Sequence, residues 1–460
     1  MSGLKFGTDG VRGVANTELT PEFALRLGLS AGAWLAASGM PRRIAIGRDT
    51  RQSGPMLEAA LAAGFASVGV EVARLGVVPT PTVAFVARHR GFGMGAVISA
   101  SHNPAPDNGI KFFSSLGAKL TDEAEAAIEA GIGRLPIDRP IGSGVGQIHA
   151  DAADVEHYID FLTELLPEGL RGIKVAVDSA NGAAYVIAAE VLRRRGALVF
   201  ETGAEPNGSN INAEGGATKP ETICNFTKLQ GADFGVAFDG DADRAIFSDS
   251  EGNLVNGDRT MGIWAAYYHG RGELQPPVVV GTVMSNGGFE KYLADAGIKL
   301  LRTPVGDKYV SRELEASGSL IGGEQSGHLI FPRHAPSGDG LLTMLELLRV
   351  VKLSGKPLTE WRRAYEPWPQ LLLNLTVRNP KEWEANARVS EAVQTATALV
   401  RGKGRVNVRP SGTQPMLRVM VEAETYELRD AAAAQILEAM QAELGARVYS
   451  EVDLTHALGD

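Results

Sequence analysis

Ser101 and His102 stand side by side at the end of the apolar run Gly95-Ala96-Val97-Ile98 and just before Pro104. A serine hydroxyl at the carboxyl end of a strand is well placed as a nucleophile, with the neighbouring imidazole as acid or base. Ser/Asn turns also end strands for local reasons, so the pair takes its meaning from groups elsewhere in the chain. Asp239, Asp241 and Asp243 alternate in Asp239-Gly240-Asp241-Ala242-Asp243-Arg244. An extended backbone would direct their carboxylates to one side, and three such charges need a cation between them. Oxygen-only ligands select Mg²⁺ or Ca²⁺. An EF-hand is excluded, because its glycine and glutamate positions hold Arg244 and Ser250. Phe238 and Ala242 argue against a wholly solvated acidic turn, and Arg244 can hold an anion beside the metal.

Further loops add binding groups. Arg409, Ser411, Gly412 and Thr413 have the residue types of a phosphate cradle: a guanidinium fork, two hydroxyls and an approachable backbone. Glu324, Ser326 and His328 lie among glycines, and their mix of donors and acceptors suits sugar hydroxyls. Arg12 sits within Phe6 to Gly13, a glycine-rich loop that brings a guanidinium near a ligand. Lys111 lies a short loop beyond Ser101 and can supply charge or a proton there; His102 and His328 are the other candidate bases. One serine, one three-carboxylate site, several arginines and a phosphate cradle point to phosphoryl transfer.

A recurring pattern positions these loops. Arg43 to Gly47, Lys174 to Val177 and Val278 to Val280 are short apolar strands, each followed by a Ser/Asn/Gly loop and a helix. Further on in each unit a second strand ends in one of the polar loops. The expected architecture is α/β: three related α/β domains with mixed sheets, plus a smaller α+β C-terminal domain, around a central cleft. Arg134 to Pro140 with the Gly/Ser run after it, Asn253 to Asp258, and Glu366 to Pro369 place the domains at 1–150, 151–255, 256–368 and 369–460. The last is expected as strand, helix, two strands and helix, with Leu371 to Val377, Glu382 to Val400, Arg405 to Val408, Leu417 to Val421 and Glu427 to Leu444 as its elements. Thr20-Pro21-Glu22 reads as a helix start.

A chain of 460 residues needs several cores. The single cysteine, Cys224, permits no intrachain disulfide and fits a reducing compartment. The amino-terminal residues lack the apolar stretch of a signal peptide, and no run reaches the ~18 apolar residues of a membrane span. A cytoplasmic protein without membrane contact is expected. The net charge of −9 argues against nucleic acid as a partner.

Ser-Ala-Ser-His-Asn-Pro, Asp-Gly-Asp-Ala-Asp-Arg, Gly-Glu-Gln-Ser-Gly-His and Arg-Pro-Ser-Gly-Thr, in this order, resemble the α-D-phosphohexomutase superfamily over nearly the whole chain. Phe6 to Gly13, Gly109 to Phe113 and Gln325 look like its phosphoglucosamine branch. The resemblance implies an isomerase in which Ser101 carries a phosphate, with His102, Lys111 and Arg12 in the catalytic set. One Mg²⁺ would be held by Asp239, Asp241, Asp243 and a phosphoserine oxygen. Arg244, Glu324, Ser326 and His328 would bind the sugar, and Arg409, Ser411, Gly412 and Thr413 its non-reacting phosphate. The implied reaction interconverts glucosamine 6-phosphate and glucosamine 1-phosphate through glucosamine 1,6-bisphosphate, feeding cell-envelope precursor synthesis. An activating kinase or autophosphorylation would first load Ser101, and a homodimer stays open. Gln414 departs from the superfamily's usual glutamate, which leaves the positioning of the loop arginine open. The alternatives are a phosphomannomutase/phosphoglucomutase of the same superfamily, a metal-dependent phosphatase, or a non-catalytic sugar-phosphate sensor.

Overall fold

The computed structural model describes residues 4–7, 9–134, 139–380, 382–411 and 416–456. The chain forms two compact units, residues 1–283 with 301–362, and residues 284–300 with 363–460. The first sheet is built from β1 (Val11–Val14), β2 (Arg43–Arg48), β3 (Glu71–Val77), β4 (Met94–Ile98), β5 (Asp107–Ser114) and β6 (Ile148–Ala150), in the order β1-β5-β4-β2-β3-β6. β2 runs parallel to β3 and β4, whereas β5 is antiparallel to β4 and β1. The second sheet takes β7 (Lys174–Asp178), β8 (Leu198–Thr202), β9 (Phe234–Phe238), β10 (Ala245–Asp249) and β11 (Leu254–Val255), in the order β11-β10-β9-β7-β8. Here β7 is parallel to β8 and β9, and β10 returns antiparallel to β9. The third consists of β12 (Val278–Thr282), β13 (Lys299–Thr303), β14 (Gly322–Gly323) and β15 (Leu329–Ile330), in the order β13-β12-β14-β15.

The three sheets share one device. A parallel strand ends and its chain turns back as an antiparallel neighbour: β4 into β5, β9 into β10, β14 into β15. Each polar loop singled out in these domains is one of these turns. The strands feeding the loops are apolar without alternation because both faces are covered; every residue of β4 and β9 is buried. In the first domain the helix Pro21–Ala37 begins as expected, with the Thr20 hydroxyl accepting from Phe23 N at 3.3 Å. Its buried Leu27 and Leu35 join Ile44, Phe65 and Phe112 in one apolar core.

The second unit carries β16 (Gln370–Thr376), β17 (Gly404–Pro410), β18 (Met416–Ala423) and β19 (Arg447–Asp453), antiparallel in the order β17-β18-β16-β19. Helices Ala387–Leu399 and Tyr426–Leu444 pack on it around Leu373, Val419, Ile436 and Met440. Two expectations are corrected here. The first helix starts at Ala387 rather than Glu382, because Asn386 caps it and accepts from Val389 N at 3.1 Å. The unit also ends in a further strand, β19, whose residues are nearly all exposed and so show no apolar alternation. The helix Gly287–Asp295 packs with this unit: Glu422 Oε1 accepts from Gly287 N at 2.9 Å, and Asn286 Nδ2 donates to Trp368 O at 3.0 Å. Among the described residues no helix is long and apolar enough to cross a membrane.

Candidate active site

Ser101 follows β4 in the left-handed region, at φ 51°. That conformation costs a residue with a side chain roughly 1–2 kcal/mol, so neighbouring groups must hold it. Ser99 Oγ accepts from Ser101 N at 2.9 Å and donates to Asp49 Oδ2 at 2.6 Å. Arg51, fully buried, pairs with Asp49 at 2.8 Å. Its guanidinium donates to the carbonyls of Ser101 at 2.9 Å, Asn103 at 2.8 Å and Asp107 at 3.0 Å, and also to Pro104 O. So held, Ser101 Oγ lies 2.6 Å from Asp239 Oδ2 and 3.2 Å from His102 Nδ1.

The aspartates occupy the turn between β9 and β10, and here the extended backbone is corrected. Ala242 is at φ 57° and its N–H donates to Asp239 O at 3.1 Å, so a tight turn, not strand alternation, converges the carboxylates. One oxygen of each lies within 4.8 Å of the others, and all three residues are buried. Thr80, at the start of helix Thr80–His89, fixes Asp241: its hydroxyl donates to Oδ2 at 2.6 Å and its N–H to the carbonyl at 2.8 Å. Lys111, on β5, places Nζ 2.7 Å from Asp241 Oδ2 and 3.4 Å from Asp243 Oδ2. Gly10 lets the amino-terminal loop approach: a Cβ there would stand 2.8 Å from Lys111 Cβ. That loop brings in Asp9, 3.6 Å from Lys111 Nζ and paired with Arg12.

The residues fit a divalent cation. The donors are all oxygens, which select a hard ion, and Asp241 Oδ1 is buried with no hydrogen-bond partner. Burial, together with the like charges of Asp243 and Asp241, pushes the Asp239 carboxyl well above its usual range. Burial acts the same way on Asp243, but Lys111, His328 and Arg244 override it and hold that carboxyl well below. Burial would lower Lys111; the carboxylates of Asp241, Asp9 and Asp243 instead raise it well above its ordinary value.

The loop between β14 and β15 brings in His328, whose ring lies 3.6 Å from Asp243 Oδ1 and 3.8 Å from Asp307 Oδ2. Burial would depress this imidazole, but Asp243, Asp307 and Glu324 push it up to about 9. Glu324 accepts from Gly306 N at 2.8 Å, and Ser326 is buried on the same loop. Arg244 N donates to Asp239 Oδ1 at 3.2 Å. The fold therefore brings Ser101, His102, Lys111, Arg12, the aspartates, Arg244 and His328 into one network. Arg51, Thr80 and Asp9 are parts of it that sequence reasoning missed. Lys119 is another, bridging Asp9 at 2.7 Å and Asp307 at 2.6 Å. Arg51 and Thr80 do follow strand ends, as the other site residues do, which is the signal that could have found them.

In the second unit Arg409 lies on β17 directly opposite Arg418 on β18. Burial, then the Arg418 charge, lowers the Arg409 guanidinium. Like charges facing each other across strands are unfavourable, so the pair suits an anion, and Arg418 was not foreseen. Ser411 N donates to Met416 O at 2.8 Å. Gly412, Thr413 and Gln414 lie outside the described residues.

These features define a class of phosphoryl-transfer enzyme, and the chain belongs to the phosphoglucomutase/phosphomannomutase family. Family models of its α/β/α domains I, II and III and of its C-terminal domain match residues 3–136, 156–252, 256–368 and 372–439. Phosphoglucosamine mutases from Geobacillus kaustophilus and Shouchella clausii are each 47% identical over 96% of this chain, covering 99% and 100% of theirs. A phosphoglucomutase/phosphomannomutase family protein from Burkholderia thailandensis shares the fold, with a TM-score of 0.81 at 24% identity over 96% of this chain and 98% of that one. The family resemblance and the α/β fold class are borne out.

Proposed function

We propose that the protein is an isomerase that interconverts glucosamine 6-phosphate and glucosamine 1-phosphate through a phosphorylated Ser101. The observation that carries this reading is the approach of Ser101 Oγ to Asp239 Oδ2, 2.6 Å, beside the buried carboxylate group. The sugar O1 attacks the phosphorus on Ser101, Oγ leaves, and glucosamine 1,6-bisphosphate forms. The intermediate turns around, Ser101 Oγ attacks the 6-phosphate, and glucosamine 1-phosphate departs. One Mg²⁺ held by Asp239, Asp241, Asp243 and a phosphoserine oxygen would polarise the phosphoryl group and offset its charge.

The protein's own residues do the rest. His102 Nδ1, 3.2 Å from Ser101 Oγ, is assigned to proton exchange with the reacting hydroxyl. Lys111 Nζ, 2.7 Å from Asp241 Oδ2 and 3.4 Å from Asp243 Oδ2, is assigned to supply positive charge beside Ser101. With Arg12 and Arg244 it offsets the roughly −1.5 to −2 charge that phosphorylation brings. Glu324, Ser326 and His328 are assigned to the sugar hydroxyls. Arg409 and Ser411, with Gly412 and Thr413, are assigned to the phosphate that is not reacting, and Arg418 joins them. The domain limits at 150, 255 and 368 are part of the same reading. So are a cytoplasmic location and loading of Ser101 by a kinase or by autophosphorylation.

The direct test is isomerisation of glucosamine 6-phosphate with Mg²⁺ and a bisphosphate primer, run beside mannose and glucose phosphates. Turnover highest on the glucosamine phosphate is expected. No glucosamine 1-phosphate defeats the proposal, and faster turnover of mannose or glucose phosphate moves the chain to the other branch. Arg409→Ala is expected to raise KM by ~10- to 100-fold with a smaller change in kcat. A charge-assisted hydrogen bond to phosphate contributes about 1.5–3 kcal/mol, which is that range of affinity. An unchanged KM would remove Arg409 from phosphate binding.

A further inference from the structure

The carbonyl of Ser101 is gripped from two sides. Arg51, from its own domain, donates to Ser101 O and Asn103 O. Asn212, from the long segment between β8 and β9 of the second sheet, donates through Nδ2 to the same two carbonyls, at 2.9 Å and 3.1 Å. An amide nitrogen carries two hydrogens, one for each acceptor. Asn212 is itself buried and left-handed, at φ 57°, and its N–H donates to Ala180 O at 2.9 Å. The metal loop closes over the same carbonyl: a Cβ at Gly240 would stand 2.5 Å from Ser101 O and 2.9 Å from Asn212 Nδ2. Only glycine fits there.

These contacts bear on Ser101 because its backbone conformation is one that side-chain-bearing residues avoid. With the carbonyl fixed, the backbone that carries Oγ is held where the hydroxyl meets Asp239 Oδ2 at 2.6 Å. Arg51 ties the serine loop to its own sheet, and Asn212 ties it to the domain that holds the carboxylates.

We infer that Asn212 is a positioning residue: by binding the carbonyls of Ser101 and Asn103 it holds the serine hydroxyl in register with the carboxylate loop. The inference rests on the reading that Ser101 carries the transferred phosphoryl group. It predicts a loss in the chemical step and not in binding, since Asn212 is assigned no contact with the sugar or its phosphates.

Asn212→Ala and the isosteric Asn212→Asp are compared with Thr50→Val. Thr50 Oγ1 donates to Asn181 O, so it also joins the first and second domains, through a hydrogen bond to backbone of the second domain and not to the serine loop. Both Asn212 variants are expected to lower kcat by about 100-fold, the cost of a reacting group displaced by ~1 Å. KM should stay within about threefold, since uniform binding is untouched. Thr50→Val should keep the wild-type kcat. Hydrogen exchange of the full-length proteins, followed by mass spectrometry, gives a second readout. Peptides covering Ser99 to Asp107 should exchange faster in both Asn212 variants and not in Thr50→Val, while peptides from β16 and β18 exchange as in wild type. Unchanged exchange in the serine loop, or a rise in KM with kcat intact, overturns the inference. If the wild-type protein isomerises no hexose phosphate, the proposed function fails, and the exchange comparison still decides whether Asn212 holds the loop.

Discussion

Ser101→Ala is expected to lower kcat by at least ~10⁴-fold while sugar-phosphate affinity stays within about tenfold, or ~1.4 kcal/mol. On the proposed function, the substitution removes the atom that would accept and return the phosphoryl group. It removes little else. Ser101 is buried, and its hydroxyl engages Asp239 at 2.6 Å and His102 at 3.2 Å. Asp241 keeps its bond from Thr80 and its pair with Lys111, so the carboxylate group should survive. Primed isomerisation assays give kcat, and calorimetric titration with glucosamine 6-phosphate gives affinity. Intact mass supplies the third measure: the wild-type protein should carry one phosphate that the variant lacks. Retained turnover, or an affinity loss well beyond tenfold, would make Ser101 a ligand contact. The same mass measurement separates the mutase from a sensor, which has no use for a phosphoserine. Net release of inorganic phosphate would mark a phosphatase, since a mutase must keep water from the phosphoserine.

The serine and carboxylate loops are legible in the sequence because each comes after a buried strand and interrupts it with residues no strand favours. β4 and β9 are continuous apolar runs, and the segments after them, Ser99 to Pro104 and Asp239 to Arg244, are rich in polar and turn-forming residues. Helix starts are legible where a capping side chain precedes proline, as at Thr20 and Pro21. Where a cap lies inside a polar stretch, as Asn386 does, the boundary slips by several residues. Strands exposed on both faces, such as β19, have no pattern to find. The supporting groups are hidden for another reason. Arg51 and Asn212 meet at Ser101 from 50 and 111 positions away, and Thr80 reaches Asp241 across 161. Their places after strand ends mark Arg51 and Thr80 only as candidates, and the fold is what shows that the donors of all three face carbonyls and carboxylates of the site. The carboxylates themselves are found for a partly wrong reason. Alternation in a strand suggests convergence, but the left-handed Ala242 produces it.

Lys111→Met is expected to destabilise the first unit by ~3–5 kcal/mol in the presence of a chelator, the cost of breaking a buried ion pair by removing one partner. Mg²⁺ should restore much of that loss. The ammonium is buried and lies 2.7 Å from Asp241 Oδ2, 3.4 Å from Asp243 Oδ2 and 3.6 Å from Asp9 Oδ2. Asp9 has Arg12 and Lys119 besides, whereas the Thr80 hydroxyl that also meets Asp241 is neutral. Methionine keeps the length of the side chain and deletes the charge, so packing changes little. A set of buried carboxylates with less counter-charge is left, which the native state tolerates poorly. A divalent ion binds the folded state alone and stabilises it by RT ln(1 + [Mg²⁺]/Kd), ~2.7 kcal/mol at a hundred times Kd. The variant has lost a cation that shares the same oxygens, so its ion affinity and its dependence on Mg²⁺ should both exceed those of the wild type. Urea unfolding of the two proteins, each with Mg²⁺ and with chelator, measures all four stabilities. Equal midpoints in chelator, or the same Mg²⁺ shift in both proteins, would show that Lys111 and the metal do not serve the same carboxylates.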